Sequence, residues 1–182
     1  MRAMIIALCL SAMLCGAAVA DEKPLWEFNI LGINPRDFRD RSIIEIGAGA
    51  ILSYVVHEMG HIVYAKYAGA NQTWDIPRFT THVTGAGNWS KSNWEWFGRA
   101  GWVAQTAVGY LLVSIPATRN SDITLGFNAL SAAAGFTYSS GMHDRIQVDG
   151  SDLDHLEYGT QEAAVVTIVT SLYTYIALDK AE

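Results

Sequence analysis

Four long apolar segments carry almost no charge, and that scarcity limits what the chain can fold into more than anything else in its sequence. They run over about 42–68, 94–116, 123–141 and 162–178, each set off by turn residues or charges. A helix of a soluble bundle pairs an apolar stripe with a charged face at 3.6-residue spacing. These segments nearly lack that face, and only 16% of the chain is charged, against roughly 25% in an average soluble domain. The small residues of "GAGA" (47–50) and "SAAAG" (131–135) suit the close backbone approach that joins helices in lipid. The expected class is all-α: a polytopic membrane helix bundle of about four apolar helices following a signal peptide. Its 182 residues make one domain. A soluble bundle with an apolar core is the alternative.

The first twenty residues, "MRAMIIALCLSAMLCGAAVA", pair a basic start at Arg2 with an apolar stretch and a small-residue ending, Ala18-Val19-Ala20. That is the layout of a secretory signal peptide, with an uncleaved first membrane helix as the other reading. The expected division is a signal peptide at 1–20, a polar interfacial lead-in at 21–41 with Trp26 and Phe28 as anchors, and a membrane-embedded domain at 42–182. Both cysteines, Cys9 and Cys15, fall in the signal. The processed chain would have none, which excludes disulfides, thiolate metal sites and a cysteine nucleophile. Export through such a signal implies a bacterial-type inner membrane. The net charge of −6 leaves no basic patch for phosphates, so no nucleic-acid partner is expected.

Two polar connections stand out. The first, 69–93, is rich in Gly, Asn and Thr and holds a hairpin candidate at "RFTTHVTG". The second, 141–161, is dense in acids and carries two of the five histidines.

Inside the first apolar segment stands "HEMGH", 57–61, an H-E-x-x-H pattern. Residues four apart share a helix face, so His57 and His61 can offer two imidazole nitrogens to one metal ion. Glu58 follows the first ligand and suits a general base that takes a proton from metal-bound water and passes it to a leaving amine. Zn2+ accepts two nitrogens and a further ligand while leaving a position open for water. Gly60 reads as keeping the approach to the metal clear. Ionisable groups in an apolar segment are costly and by default mark function.

A third ligand is expected from the acid-rich connection, which supplies His143, Asp144, Asp149, Asp152, Asp154 and His155. Asp152 is favoured, Asp149 stands second, and Asp154 or His155 follow; most of these acids read as a solvated, helix-capping loop. His82 reads as a surface or substrate-strand histidine. Asn128 and Gln105, polar within apolar segments, suit hydrogen bonding between helices, with oxyanion stabilisation as the other role. Trp94, Trp96 and Trp102 read as an interfacial aromatic belt.

An HExxH in an apolar helix, followed by further apolar segments and a distal Asp-Gly at Asp149-Gly150, resembles the site-2 protease class of intramembrane zinc metalloproteases. The resemblance implies zinc held by His57, His61 and a distal aspartate, with Glu58 as general base. The family's Asn-x-x-Pro just before the Asp-Gly is absent here: Asn128 lies 21 residues upstream of Asp149 with no proline between. The resemblance spans roughly 43–178 and points to a divergent, compact relative.

The function expected is therefore that of a zinc-dependent endopeptidase with zinc-bound water as nucleophile. Its partners would be the lipid bilayer and a membrane-protein or peptide substrate, held by strand addition to a sheet edge from 69–93. A soluble periplasmic zinc peptidase and a non-catalytic membrane scaffold that keeps the metal site are the competing readings.

Overall fold

The computed structural model describes residues 41–75, 80–142 and 156–178. The expected signal peptide and all of the lead-in before Arg41 lie outside the described residues.

Helix α1, Ile43–Tyr67, starts at Ser42, whose Oγ accepts the Glu45 N–H at 3.3 Å. Glu45 in the first turn and Lys66 in the last both complement the helix dipole. Gly69, at φ +77°, breaks the helix in the left-handed region that glycine adopts most readily. The chain then forms an antiparallel hairpin, β1 (Asn71–Asp75) with β2 (Thr80–Thr84), in register Asn71 to Thr84 through Asp75 to Thr80. β1 lies against α1, and Trp74 stacks at 6.0 Å on Tyr54, so the hairpin folds back along the helix.

Helix α2, Lys91–Ser114, is capped by Ser90 accepting from Asn93 N–H, and gives way at Ile115 to the short α3, Pro116–Arg119. Proline suits a first helical position because its missing N–H is an orphan there anyway. Helix α4, Asp122–Ser139, is capped by Ser121, and α5 is Gly159–Leu178. The fold is thus mostly helical, with a small hairpin that an all-α description leaves out.

α1 packs on α2 and α4, and α5 covers α4 and part of α2. The α1–α4 contact is backbone on backbone. A Cβ on Gly49 would strike the Ile123 carbonyl, and one on Gly126 would strike the Ile46 carbonyl. At one end of the bundle Arg41 gathers three helix ends. Its guanidinium donates to Asp122 Oδ1 and Asn120 O, both at 3.0 Å, and to the carbonyls of Ala177 and Leu178 at 3.4 Å. The Arg41–Asp122 pair is nearly buried, so removing one partner alone costs about 3–5 kcal/mol.

Hydroxyls share the interior with apolar side chains such as Leu125 and Phe127, and large aliphatic side chains face outward. Ser53, Thr124, Ser131, Thr170 and Thr174 are fully buried, while Ile44 is 85% and Ile168 67% exposed. Along α5 the buried face is Ala163, Thr167, Thr170, Ser171, Thr174 and Ala177, and Val165, Ile168, Leu172 and Tyr175 point outward. The buried threonines satisfy their hydroxyls on carbonyls one turn back, Thr167 to Ala163 O and Thr170 to Val166 O at 2.7 Å, Thr174 to Thr170 O at 2.8 Å.

α1 and α5 are long and apolar enough to cross a membrane, spanning about 38 and 30 Å at 1.5 Å per residue. The other two expected segments do not reach that measure among the described residues. α2 carries Lys91, Glu95 and Arg99 in its first three turns, and α4 is short and interrupted by polar residues such as Asn128 and Ser131.

Candidate metal centre

One helical turn separates His57 and His61 on α1, and their rings converge until the two Nε2 atoms stand 3.1 Å apart. Two zinc–nitrogen bonds of about 2.0–2.1 Å at a tetrahedral angle would set their nitrogens about 3.3 Å apart. The observed spacing is within a few tenths of an ångström of what one shared ion needs. His61 is 2% exposed and Glu58 7%.

The far nitrogens are both held. His61 Nδ1 lies 2.7 Å from the Phe97 carbonyl oxygen. A carbonyl only accepts, so Nδ1 carries the proton and Nε2 is the ring's acceptor. His57 Nδ1 lies 3.2 Å from Gln105 Oε1, whose amide Nε2 in turn donates to Ser53 Oγ at 2.5 Å. Histidines that ligate metals donate their other ring N–H in this manner, which fixes the tautomer and aims the ring. The two nitrogens and their support therefore fit two positions of a tetrahedral zinc site.

α2 reaches the site through a glycine. A Cβ on Gly101 would lie 2.5 Å from His61 Nε2 and 2.6 Å from His57 Nε2, so only glycine leaves the space in front of both nitrogens clear. Gly60, expected to serve that purpose, has a different one: its Cβ would strike the Ala100 carbonyl of α2. Gly60 lets the helices touch, and Gly101 opens the pocket. Trp102 stands edge-on to His57 at 4.9 Å and to Tyr138 at 5.3 Å, and Phe97 flanks His61 at 4.9 Å. Beyond Trp102, a groove of about 550 Å³ runs between α2 and α5, lined by Val103, Thr106, Tyr110, Val166 and Tyr173. At its edge the Arg99 guanidinium forks onto the Glu162 carboxylate through two 2.8 Å bonds.

Among the described residues no group of three or more histidines, cysteines or acids gathers at one point. Asp152, the expected third ligand, lies outside the described residues, as do Asp149, Asp154, His155, His143 and Asp144. The ends flanking that stretch are placed. Met142, three residues past α4, precedes it, and just after it, ahead of α5, Glu157 Oε2 meets Lys91 Nζ of the start of α2 at 3.2 Å. The hydrogen bond and charge of Lys91 hold the Glu157 carboxyl below its ordinary range.

The remaining candidates separate clearly. His82 is exposed on β2 opposite Thr73. Asn128 donates to the Thr124 carbonyl of its own helix at 3.1 Å and lies against Gly109 of α2, a packing position. Trp96 is exposed with Arg99 over its ring, and Trp94 packs with Trp89 and Phe97. Trp102 is not part of an interfacial belt: it is buried against His57, because α2 turns this face inward at Gly101. Gln105 belongs to the site rather than to general helix packing. Its only sequence signal was polarity within an apolar run, and Ser53, Phe97 and Gly101 gave none.

Comparison with family models, curated proteins and solved structures finds no match to this chain.

Proposed function

We propose that the chain is a membrane-embedded zinc endopeptidase that cuts peptide bonds of membrane or membrane-proximal substrates, with a site of the kind the site-2 proteases use. The observation that carries this reading is the convergence of two Nε2 atoms at 3.1 Å with both Nδ1 atoms held by oxygen acceptors. A pair of histidines buried only for packing has no need of two rings aimed at one cleared space.

His57 and His61 hold the ion, and Asp152 is the proposed third ligand, followed by Asp149, Asp154 and His155. When bound, zinc supplies a water acidic enough to act as nucleophile near neutral pH and a Lewis acid for the carbonyl oxygen. Glu58 accepts the proton of the attacking water and delivers it to the leaving amine nitrogen. Its burial keeps bulk water from competing for that proton. The hairpin lies along the turn before His57, through Trp74 on Tyr54, and a two-stranded ribbon offers open edges to an extended peptide. Gln72, two residues before Trp74 on the same strand face, buries both side-chain amide atoms without a hydrogen-bond partner, which suits a group that completes its bonds on a substrate backbone.

The hydroxyls along the helix seams and the outward aliphatic side chains support the bilayer as its solvent. Hydroxyls and small residues join helices in lipid, where aliphatic side chains gain nothing by turning inward. On this reading all four long helices sit in the membrane, α2 with its charged first turns at the interface.

The decisive experiment uses the full-length chain in detergent, measuring bound zinc and cleavage of membrane-protein substrates. Glu58→Gln is expected to keep its zinc and to lose about 100- to 10,000-fold in turnover. Unchanged turnover sinks the protease reading, and a wild type that binds no zinc sinks the metal centre. Asp152→Ala is expected to lose zinc; if it does not, the same assay on Asp149→Ala, Asp154→Ala and His155→Ala finds the ligand.

A further inference from the structure

Two residues in the wall of the groove between α2 and α5 bury hydrogen-bonding atoms that nothing receives. Trp102 is 6% exposed, and its Nε1, like Thr106 Oγ1 one turn further along α2, has no hydrogen-bond partner among the described residues. An indole N–H can only donate, and a hydroxyl can donate as well as accept. A donor left bare in an apolar wall is unfavourable, and an acceptor seated in the groove would complete both.

The shape of the groove limits what can bring that acceptor. Arg99 and Glu162 bridge the two helices at one end, and eleven residues on along each helix Tyr110 and Tyr173 meet with ring centroids 6.2 Å apart. α2 and α5 thus run side by side for about 16 Å at 1.5 Å per residue, close to half of a hydrocarbon core about 30 Å thick. Val103, Tyr110 and Val165 line the groove and are exposed, so it opens on the outer face of the bundle. A volume of about 550 Å³ over that length leaves a mean cross-section of about 34 Å², and a helix 10 Å across needs about 79 Å². The groove takes an extended chain rather than a helix. An extended peptide brings an N–H for nearly every carbonyl, and this apolar wall would leave those donors bare. A fatty acyl ester brings carbonyl oxygens and no donor.

We propose that the groove holds one acyl chain of a glycerophospholipid from the surrounding bilayer, with its ester carbonyl accepting from Trp102 Nε1 and Thr106 Oγ1. The depth agrees. The charged first turns of α2 belong at the interface, and Trp102 stands one turn inside Arg99, at the level where phospholipid esters meet the hydrocarbon. At the rim Arg99 and Glu162 neutralise each other, which favours a zwitterionic headgroup over an anionic one. The site rests on the bilayer reading of the bundle and not on the zinc reading.

The test titrates the full-length chain in detergent with dioleoyl phosphatidylcholine and, separately, with its dialkyl-ether counterpart, which has the same headgroup and chains but no carbonyl. Native mass spectrometry counts the lipid held per chain. Wild type is expected to hold one diester lipid and to bind the ether lipid about 10-fold more weakly, the loss of buried hydrogen bonds to one carbonyl. Trp102→Phe/Thr106→Val keeps the shape of the wall and removes both donors, and should bind the two lipids alike. Ala107→Phe fills the groove from its own wall and should hold neither. Equal affinity of wild type for ester and ether overturns the site, as does an ester preference that survives in the double variant or a lipid retained by Ala107→Phe. A synthetic apolar transmembrane peptide held in place of either lipid also overturns it and assigns the groove to substrate. If the double variant fails to fold, the comparison of the two lipids on wild type decides alone. A wild type that stays with membranes yet shows no ester preference sinks the site and leaves the bilayer reading standing, whereas one that is soluble without detergent sinks both.

Discussion

Gly101 is the residue on which the candidate site depends most, and it is not part of the motif. Replacing it with alanine places a methyl carbon 2.5–2.6 Å from both Nε2 atoms, well inside van der Waals contact. Either the imidazoles swing away or α2 retreats. Gly101→Ala is expected to lower zinc affinity at least about 10-fold, in line with other disturbances behind metal-ligating histidines, while circular dichroism shows the helices intact. Zinc bound as tightly as in wild type would mean that the ion sits elsewhere. The contrast between motif and support is instructive. His57 and His61 were legible because a spacing of four fixes their relation within one helix, whatever the rest of the chain does. Gln105, Phe97 and Gly101 act across helices at separations of 36–48 residues, and no local pattern encodes the register of α2 against α1.

At the scale of elements, helix starts carry a local signal that helix faces lack, although the apolar runs alone place the second and fourth helices three residues late. Ser42 with Glu45 three residues on is a capping signature, and Ser90 and Ser121 open α2 and α4 in the same way. The hairpin candidate at "RFTTHVTG" holds over β2, Thr80–Thr84, paired to a β1 that the sequence did not single out. The inward faces followed a rule that hydropathy reads backwards: on α5 the threonines mark the core and the isoleucine and leucine mark the outside. The α1–α4 seam gives the matching prediction. Gly126→Val forces a branched side chain onto the Ile46 carbonyl and should destabilise the bundle by about 1–3 kcal/mol, as overpacking does. Thermal unfolding in detergent measures it. Gly47, whose Cβ would meet nothing, provides the control: Gly47→Ala should unfold no earlier than wild type.

For the molecule as a whole, the question is which solvent surrounds the outward aliphatic face. Ile168 sits near the middle of α5 and is largely exposed. In water, Ile168→Lys is a mild surface change. In a bilayer it places a charge at the helix centre, at a cost of about 2.5–3.5 kcal/mol for insertion. Wild type is expected to stay with membranes after alkaline carbonate washing and to need detergent for release, and Ile168→Lys to fall in membrane-inserted yield. Wild type released by carbonate, or a lysine variant inserted as well as wild type, would return the bundle to water and leave a soluble peptidase as the reading of the same metal site.

The Arg41 junction has a topological consequence. By tying the start of α1 and the start of α4 to the end of α5, it puts both extremities of the helical domain at one pole. The turn carrying His57 and His61 lies toward the opposite pole, where α2 and α5 begin. On the membrane reading, reporter domains fused ahead of Ile43 and behind Leu178 share a compartment, whichever way the bundle faces. The end of α4 and the start of α5 lie at that other pole.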